Sequence, residues 1–393
     1  MKGALLLGWR YLAHHRLKTV VLLASVTLMM FLPSATRLLV ADSAKALTAR
    51  AEQTPLLIGA KGSELELVLN ALYFHSGRPP EIPHQLLDEI DETGLASPIP
   101  LNTRFQTRGA PIVGTNLDYF SFRKLQLSDG RMMGLLGECV VGVNVARSLQ
   151  VGVGDSLVSS PETVFDLAGV YPLKMNIVGV LESSASADDD AVFVDIRTTW
   201  VIQGLGHGHQ DLQEATAGSA VLNRSKESIT ANASLVQYNE ITTENVREFH
   251  FHGDTTGFPL SAVIAVPANE KDSTLLRGRF QEGTIGGQLV IPGQVLGELL
   301  NTVFTVQNYV ILGMAMLSLA TVAVITLVFL LSQQLRRGEF YTLKRMGASR
   351  GFVATLVASE LGFVLLGSLL LATLMTWVAR TYATEILLTF MTL

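Results

Sequence analysis

The side chains best suited to bind a metal ion lie between residues 180 and 260. Imidazole nitrogens suit zinc or copper, and carboxylates would add oxygen ligands. An H-x-H spacing points both rings to one side of a strand, but no sequence feature brings separate pairs together. We therefore expect exposed loop histidines and a solvated aspartate turn, and the sequence assigns no metal to the chain. The candidates are two histidine pairs and an aspartate run: His207 and His209, His250 and His252, and Asp188, Asp189 and Asp190.

The sequence offers no persuasive hydrolase site. It contains no H-E-x-x-H and no persuasive pair of carboxylates. The single cysteine, Cys139, lies in the apolar, strand-like run ECVVGVNVA, which favours a buried structural thiol over a nucleophile. The net charge of −5 argues against general nucleic-acid binding, which needs a concentrated basic patch. The sequence predicts a protein that is not an enzyme and binds no nucleic acid.

Three apolar runs are long enough to cross a bilayer. They lie at 19–40, 309–332 and 361–379, and a stretch of about 20 apolar residues spans a hydrocarbon core of about 30 Å. Basic residues dominate the lead-in before the first run and the segment 333–350, and such an excess marks the cytoplasmic side. We expect the N-terminus and this segment inside and the chain between the first two runs outside. A cleaved signal peptide is the alternative for the first run.

The polar block between the first two runs has the pattern of one or two mixed α/β lobes. A short strand after Pro55 is followed by a glycine-rich turn and an amphipathic helix. Residues 204–218, rich in glycine and histidine, have the composition of a loop or lobe boundary. Further helices are predicted at 84–92 and 198–203, and further strands at 110–115, 138–143, 174–181, 191–195, 220–236 and 258–266.

These observations predict an α-helical membrane protein with a large α/β domain inserted between its first two spans. The apolar end of the final segment is too short to span, so three spans are favoured. A shortened helical pair over 352–393 is the alternative, and it would supply a fourth span. The predicted segments are a lead-in helix 1–18, span 19–40, outer α/β domain 41–304, span 305–332, cytoplasmic loop or helix 333–351, span 352–379 and a short C-terminal segment 380–393.

The segment between the second and third runs carries a family resemblance. Its sequence, GEFYTLKRMGASRGFVATLVASELGFVLLG, is similar to the signature that follows the second membrane helix in FtsX/MacB-like permeases of ABC transporters, of the macrolide-exporter and lipoprotein-release type. GWRYLAHHRLKTVVLLASVTLM resembles the family's lead-in helix and first span. GTNLDYF, GECVVGVNVARSLQVGVGDSL and VGVLESSASADDDAVFVD resemble its periplasmic core domain. The matching loop positions are Arg337, Glu339, Leu343, Lys344, Met346, Gly347, Ala348, Ser349 and Glu360.

The resemblance implies that this segment couples the chain to an ATPase. An apolar face formed by Phe340, Leu343 and Met346 would enter a groove on the partner, with the charges at its rim, and Gly347 would end the helix. The sequence has no G-x-x-x-x-G-K-[ST] motif, so ATP and Mg would be bound by a separate cytoplasmic ABC ATPase and this chain would hold no cofactor.

The resemblance also implies partners and a location. The expected location is the inner, or cytoplasmic, membrane, with the large domain in the periplasm. The expected partners are the lipid membrane, a second permease chain, identical or not, and a periplasmic membrane-fusion or substrate-binding protein. The expected function is export or extraction of a periplasmic or membrane-held substrate by mechanotransmission. The alternative is an FtsX-like signalling or scaffold subunit that activates a periplasmic partner such as a cell-wall hydrolase.

Glu360 is an ionisable residue near the start of the third run. An acid inside a span suggests a proton or ion pathway. Because Glu360 lies about two turns from the membrane interface, the favoured interpretation is that it pairs with a basic residue of the preceding segment or reaches the lipid headgroups.

Overall fold

A computed structural model of the protein describes residues 2–75, 80–160, 172–208, 221–224, 229–231 and 239–391. The chain divides into two compact units. Met1–Leu47 and Glu298–Leu393 form the first, which we call the helical unit. Thr48–Gly297 form the second, which we call the α/β unit.

The α-helices of the described residues are, in chain order, α1 (Lys2–His14), α2 (Arg16–Glu52), α3 (Glu64–Tyr73), α4 (Gln85–Glu92), α5 (Leu117–Arg123), α6 (Val143–Leu149), α7 (Ile196–Ile202), α8 (Glu270–Gln281), α9 (Pro292–Leu335), α10 (Arg337–Arg345) and α11 (Arg350–Met391). The strands are β1 (Leu56–Gly59), β2 (Ile82–Pro83), β3 (Ala96–Thr107), β4 (Ala110–Thr115), β5 (Leu127–Gly130), β6 (Glu138–Val141), β7 (Ser156–Val158), β8 (Lys174–Leu181), β9 (Val192–Asp195), β10 (Gly206–Gly208), β11 (Val221–Arg224), β12 (Ile229–Ala231), β13 (Phe249–Phe251), β14 (Pro259–Leu260), β15 (Ala262–Pro267) and β16 (Gln288–Val290).

The helical unit contains three helices that are long and apolar enough to cross a membrane, α2, α9 and α11, as judged from length and composition within the described residues. Most of the apolar side chains of α9 are exposed, as a lipid-facing or partner-facing helix requires. A small cluster of Leu12, Leu22, Val26 and Val364 joins α1, α2 and α11. Since α11 is one helix from Arg350 to Met391, these residues do not form the shortened helical pair that was the alternative in the sequence analysis.

The α/β unit is built on one large mixed sheet. Nine of its ten strands follow the spatial order β16–β1–β15–β3–β4–β9–β6–β8–β5, and the tenth, β7, pairs with β8 outside this order. The β4–β9 and β6–β8 pairs are parallel, and the other pairs of this sheet are antiparallel. A mixed α/β domain was therefore predicted correctly.

Both faces of this sheet are covered, which explains why its central strands are continuous apolar runs. In β9, Phe193 packs into one core with α3 and α5, whereas Val192 and Val194 pack into the core on the other face, with α6 and α7. Leu57 of β1 likewise packs on the first face. Its neighbours Leu56 and Ile58 point to the opposite face and pack into the core that contains residues of α4, α7 and α8. The same alternation buries Cys139 completely, as expected for a structural thiol.

The predicted elements differ from the observed ones mainly at their ends. The strands predicted at 110–115 and 174–181 coincide with β4 and β8. The segment 204–218 was predicted to be a loop, but Gly206–Gly208 form β10, and residues 209–218 lie outside the described part of the chain. In the helical unit, α11 continues past 379, so the described part of 380–393 is not a separate segment.

Candidate functional site

The junction between α9 and α11 is the region for which the sequence predicted coupling. Two tight breaks isolate α10 from the long helices before and after it. At the second break Gly347 has a φ of +92°, a conformation that glycine adopts without strain, and its N–H donates to the carbonyl of Lys344 over 3.1 Å. Ser349 then caps α11, because its hydroxyl accepts the N–H of Phe352 over 3.2 Å. The Gly-Ala-Ser segment is thus a helix stop followed by a helix start.

Arg336, at the first break, is the buried centre of this junction. Its Nη1 donates to both carboxylate oxygens of Glu360, at 2.8 and 3.0 Å, and its Nε donates to Glu339 over 3.0 Å. The guanidinium carbon lies 3.5 Å from the centre of the Tyr11 ring and 5.1 Å from that of Phe340. These contacts connect α1, α10 and α11. Glu360 is therefore paired with a basic residue, which is the first of the two arrangements favoured from sequence.

The sequence pattern did not single out Arg336 or Tyr11. One sequence signal could have indicated Arg336: an acid inside a span, Glu360, usually pairs with a basic residue, and Arg336 lies in the segment that precedes this span. The contact with Tyr11 joins residues more than 300 positions apart, and no local pattern indicates it.

The lead-in helix α1 packs closely on α11. A Cβ at Gly8 would lie 2.3 Å from the hydroxyl oxygen of Ser359, so any other residue here would require the Ser359 side chain to move. The rings of Trp9 and Phe363 contact edge to face, with their centres 5.6 Å apart. α1 is thereby held against the start of α11, beside Arg336.

The exposed surface of α10 combines apolar and basic side chains. Tyr341 and Met346 are 59% and 76% exposed, whereas Phe340 and Leu343, predicted to form the docking face together with Met346, are only half-buried. Other predicted coupling residues, Arg337, Glu339, Lys344, Gly347 and Ser349, are exposed, and Ala348 is half-buried. Such a surface suits binding of a protein or of lipid headgroups, since an apolar centre with a charged rim is typical of docking sites.

The α/β unit holds a buried polar triad. Arg50 donates from Nη1 to Oδ2 of Asp188 over 2.6 Å and from Nη2 to Oδ1 over 2.9 Å. Tyr119 accepts from Arg50 over 2.6 Å and donates to Asp188 over 2.7 Å. Burial raises the pKa of the Tyr119 hydroxyl, which therefore stays protonated. Burial alone would raise the pKa of Asp188, but the hydrogen bonds and charge of Arg50 hold it below its usual value.

This triad corrects the expectation of a solvated aspartate turn. Asp188 and Asp189 are 1% and 4% exposed. Asp189 accepts hydrogen bonds from the backbone and hydroxyl of Ser184, from the hydroxyl of Ser183 and from the Ala185 N–H. Both aspartates are used within their own loop and core, so neither is available as a metal ligand.

A second acid of the α/β unit is also structural. Glu138 accepts hydrogen bonds from both terminal nitrogens of the Arg131 guanidinium. It also accepts hydrogen bonds from the backbone N–H of Gly134 over 2.8 Å and of Leu135 over 3.0 Å. The hydrogen bond from Arg131 is the main cause that lowers the pKa of Glu138 to about 2. In contrast, burial raises the pKa of Cys139 well above its usual value, so its thiol remains protonated and unreactive.

The structure brings three of the four candidate histidines together. One ring nitrogen from each of His207, His250 and His252 lies within 4.8 Å of the others. His209 lies outside the described residues. His207 lies in β10, His250 lies in β13 and His252 directly follows β13, and the sequence could not show that these strands pair.

Comparison with known proteins agrees with this architecture. The family model of the MacB-like periplasmic core domain matches residues 21–238, more than half of the chain. Among curated proteins, no match to the sequence was found.

Two solved structures illustrate the similarity. The periplasmic region of MacB from Actinobacillus actinomycetemcomitans has 9% sequence identity and a TM-score of 0.35, covering 63% of this chain and 93% of that one. The extracellular domain of the noncanonic ABC-type transporter YknZ from Gram-positive bacteria has 12% identity and a TM-score of 0.32, covering 60% of this chain and 98% of that one. With the match over 21–238 and three candidate spans in the described residues, the chain belongs to the FtsX/MacB-like family of ABC transporter permeases.

Proposed function

We propose that this permease couples ATP hydrolysis by a separate cytoplasmic ATPase to movement of its α/β unit outside the inner membrane, and so exports or extracts a periplasmic or membrane-held substrate. The observation that carries the proposal is α10, an exposed short helix whose first residues are held to α1 and α11 by a buried arginine. A helix of this kind can receive a push from a partner and pass it on.

The connection through Arg336 supports transmission of force. A solvated loop would bend at the breaks on either side of α10 and dissipate a displacement. Here Arg336 and Glu360 are 8% and 3% exposed, and separating such a pair costs about 3–5 kcal/mol because it leaves a buried charge unpaired. A displacement of the start of α10 is therefore passed to α11.

Tyr341 and Met346 form the apolar part of the proposed docking surface. They are the exposed large apolar side chains of α10 and its C-terminal cap, and Lys344 and Arg345 lie beside them. Arg345 donates to the Tyr341 hydroxyl over 2.8 Å, which limits the freedom of both side chains before docking. We propose that this surface, rather than the half-buried Phe340 and Leu343, meets the ATPase.

The test is purification of the tagged full-length chain in mild detergent from its native host, with identification of the proteins that accompany it. Met346→Asp places a charge in the docking surface and should remove the ATPase. Gly338→Asp is the matched control, since it adds the same charge at the start of α10, where a Cβ meets nothing within 4 Å. Both variants should elute as single species at the wild-type position.

Each outcome is informative. An ATPase that accompanies wild type and Gly338→Asp but not Met346→Asp supports the proposal. An ATPase present with all three places the contact elsewhere, and no ATPase with any of them contradicts the transporter function. A cell-wall hydrolase among the accompanying proteins, without a membrane-fusion protein, would favour the signalling alternative.

Membrane orientation has its own test, because the buried Cys139 leaves a low background for thiol labelling. Gly62 and Gly338 have open space around the position of a Cβ, so cysteine fits at both. An impermeant maleimide should label Gly62→Cys in intact spheroplasts and Gly338→Cys only after lysis. The reverse pattern would refute a cytoplasmic α10.

A further inference from the structure

Three imidazoles lie on one face of a two-stranded ladder in the α/β unit. β10 and β13 are antiparallel, with His207 directly opposite His250. Directly opposed residues share a face, and so do residues two positions apart along an extended chain, which places His252 beside them. The centre of the His207 ring lies 5.0 Å from that of His250 and 4.6 Å from that of His252.

The spacing of the ring nitrogens fits a tetrahedral metal ion. The Nε2 atoms of His207 and His252 are 3.4 Å apart. With metal–nitrogen bonds of about 2.0–2.1 Å, two ligands of a tetrahedral zinc ion lie about 3.3–3.4 Å from each other. One edge of the site therefore already has this length, and all three nitrogens lie within 4.8 Å. The remaining edges are longer than this, and we expect them to shorten on binding by movement of the exposed His250 ring.

The opposite face of the ladder anchors it to the core. Phe251 lies edge-on to Trp200 at 6.1 Å and contacts Phe258 at 6.0 Å, centre to centre. A Cβ at Gly206 or Gly208 would lie 2.5 Å from the ring of the phenylalanine opposite it, so the glycines beside His207 make room for these rings. The backbone that carries the imidazoles is thus held in place, which lowers the entropic cost of binding an ion.

A hydrogen bond also orients one of the ligands. The Nδ1 of His250 lies 3.1 Å from the backbone carbonyl of Glu248. When Nδ1 carries the proton and donates to this oxygen, Nε2 is the ring nitrogen that carries the lone pair for a metal. Metal-ligating histidines in proteins usually have such a partner.

We propose that His207, His250 and His252 bind one divalent transition-metal ion of the zinc or copper type. Neutral imidazole nitrogens suit these ions, whereas calcium and magnesium prefer oxygen ligands. Three protein ligands leave a fourth position for water or another donor. Since the ligands come from both strands, the ion cross-links β10 to β13.

The test uses the full-length chain in detergent, purified with a tag that contains no histidine and freed of metal by a chelator. Zinc and copper are titrated separately by calorimetry, with a chromophoric chelator as competitor. We expect one ion per chain. His250→Gln should weaken binding by at least about 100-fold, because loss even of an outer-shell partner costs about 10–100-fold. His75→Gln, at an exposed histidine outside the cluster, is the matched control and should leave affinity unchanged.

Two further readouts keep the proposal falsifiable. Saturating metal should raise the unfolding temperature of the wild type and of His75→Gln but not of His250→Gln. His252→Gln, at another exposed ligand, should behave like His250→Gln. Cobalt bound in place of zinc should give the intense visible bands of tetrahedral coordination. The proposal is overturned if neither zinc nor copper binds saturably, or if His250→Gln and His75→Gln bind equally, which would indicate adventitious binding only.

Discussion

Replacement of Arg50 by methionine tests whether the buried triad holds the α/β unit together. The change keeps most of the apolar length of the side chain but removes the cation bound to Asp188. Asp188 is 1% exposed and would keep hydrogen bonds only from Tyr119 and Ser186. It would then be a buried carboxylate that has lost the cation hydrogen-bonded to it, with the charge of Arg123 still acting on it.

The magnitude follows from this geometry. Removing one partner of a buried ion pair costs about 3–5 kcal/mol. We expect a value near the lower limit, since two hydroxyl donors to Asp188 remain. At about 1.4 kcal/mol per factor of ten, a loss of about 3 kcal/mol increases the open population roughly 150-fold.

Hydrogen exchange followed by mass spectrometry on the full-length chain in detergent measures this population. Amides of β4 and β9, in the middle of the sheet, should exchange about 150-fold faster in Arg50→Met. Arg197→Met is the matched control, because it breaks the exposed pair with Asp195 and should cost at most about 1 kcal/mol.

A triple variant separates the pair's net contribution from the penalty of an orphaned charge. Arg50→Met, Tyr119→Phe and Asp188→Leu together replace the triad by apolar groups, which often restores stability. It should be more stable than Arg50→Met alone. Equal exchange in Arg50→Met and Arg197→Met would refute the reasoning that burial makes this pair costly to break.

Three other changes have defined outcomes. Arg336→Met should lower the thermal stability of the detergent-solubilised chain by about 3 kcal/mol, because its carboxylate partner on α11 stays buried without a cation, whereas the exposed Arg337→Met should have little effect. For Glu138, the folded pKa of about 2 lies below the unfolded pKa of about 4.3. The ionised Glu138 therefore stabilises the folded state fully above pH 4.3, about the unfolded pKa, and this stabilisation is lost as the pH falls towards 2. Glu138→Gln should therefore be less stable than wild type at pH 7 and equal to it at about pH 2 in denaturant titrations. Gly142→Ala should destabilise the α/β unit by about 1–3 kcal/mol, since its Cβ would lie 2.4 Å from two backbone oxygens, and Gly62→Ala, in open space, should not.

Each of these three predictions has an outcome that would contradict it. If Arg336→Met melted at the same temperature as Arg337→Met, the junction would not depend on its ion pair. A constant difference between Glu138→Gln and wild type across the pH range would show that the effect is steric and not electrostatic. Equal melting of the two glycine variants would mean that the loop around Gly142 yields at little cost.

The sequence alone predicted the elements whose signal is local. Apolar runs identified three helices that, within the described residues, are long and apolar enough to cross a membrane, because burial in lipid requires apolar side chains around the whole helix. Strands such as 110–115 and 174–181 were predicted to the residue, since turn residues and apolar alternation mark their ends. The Gly-Ala-Ser segment predicted a helix stop because this signal is also local. The left-handed backbone conformation that ends the helix depends on the glycine itself and not on a contact with a residue distant in sequence.

The tertiary structure alone decided which polar side chains meet. Three adjacent aspartates look alike in sequence, yet Asp188 and Asp189 are buried and Asp190 is exposed. The role of Asp188 depends on Arg50, more than 130 residues away. His207 and His250 are brought together by the pairing of β10 with β13, and that register is set by the packing of Phe251 beneath it. Local propensity specifies elements, but contacts across long stretches of chain form only where apolar burial compensates the entropy of bringing them together.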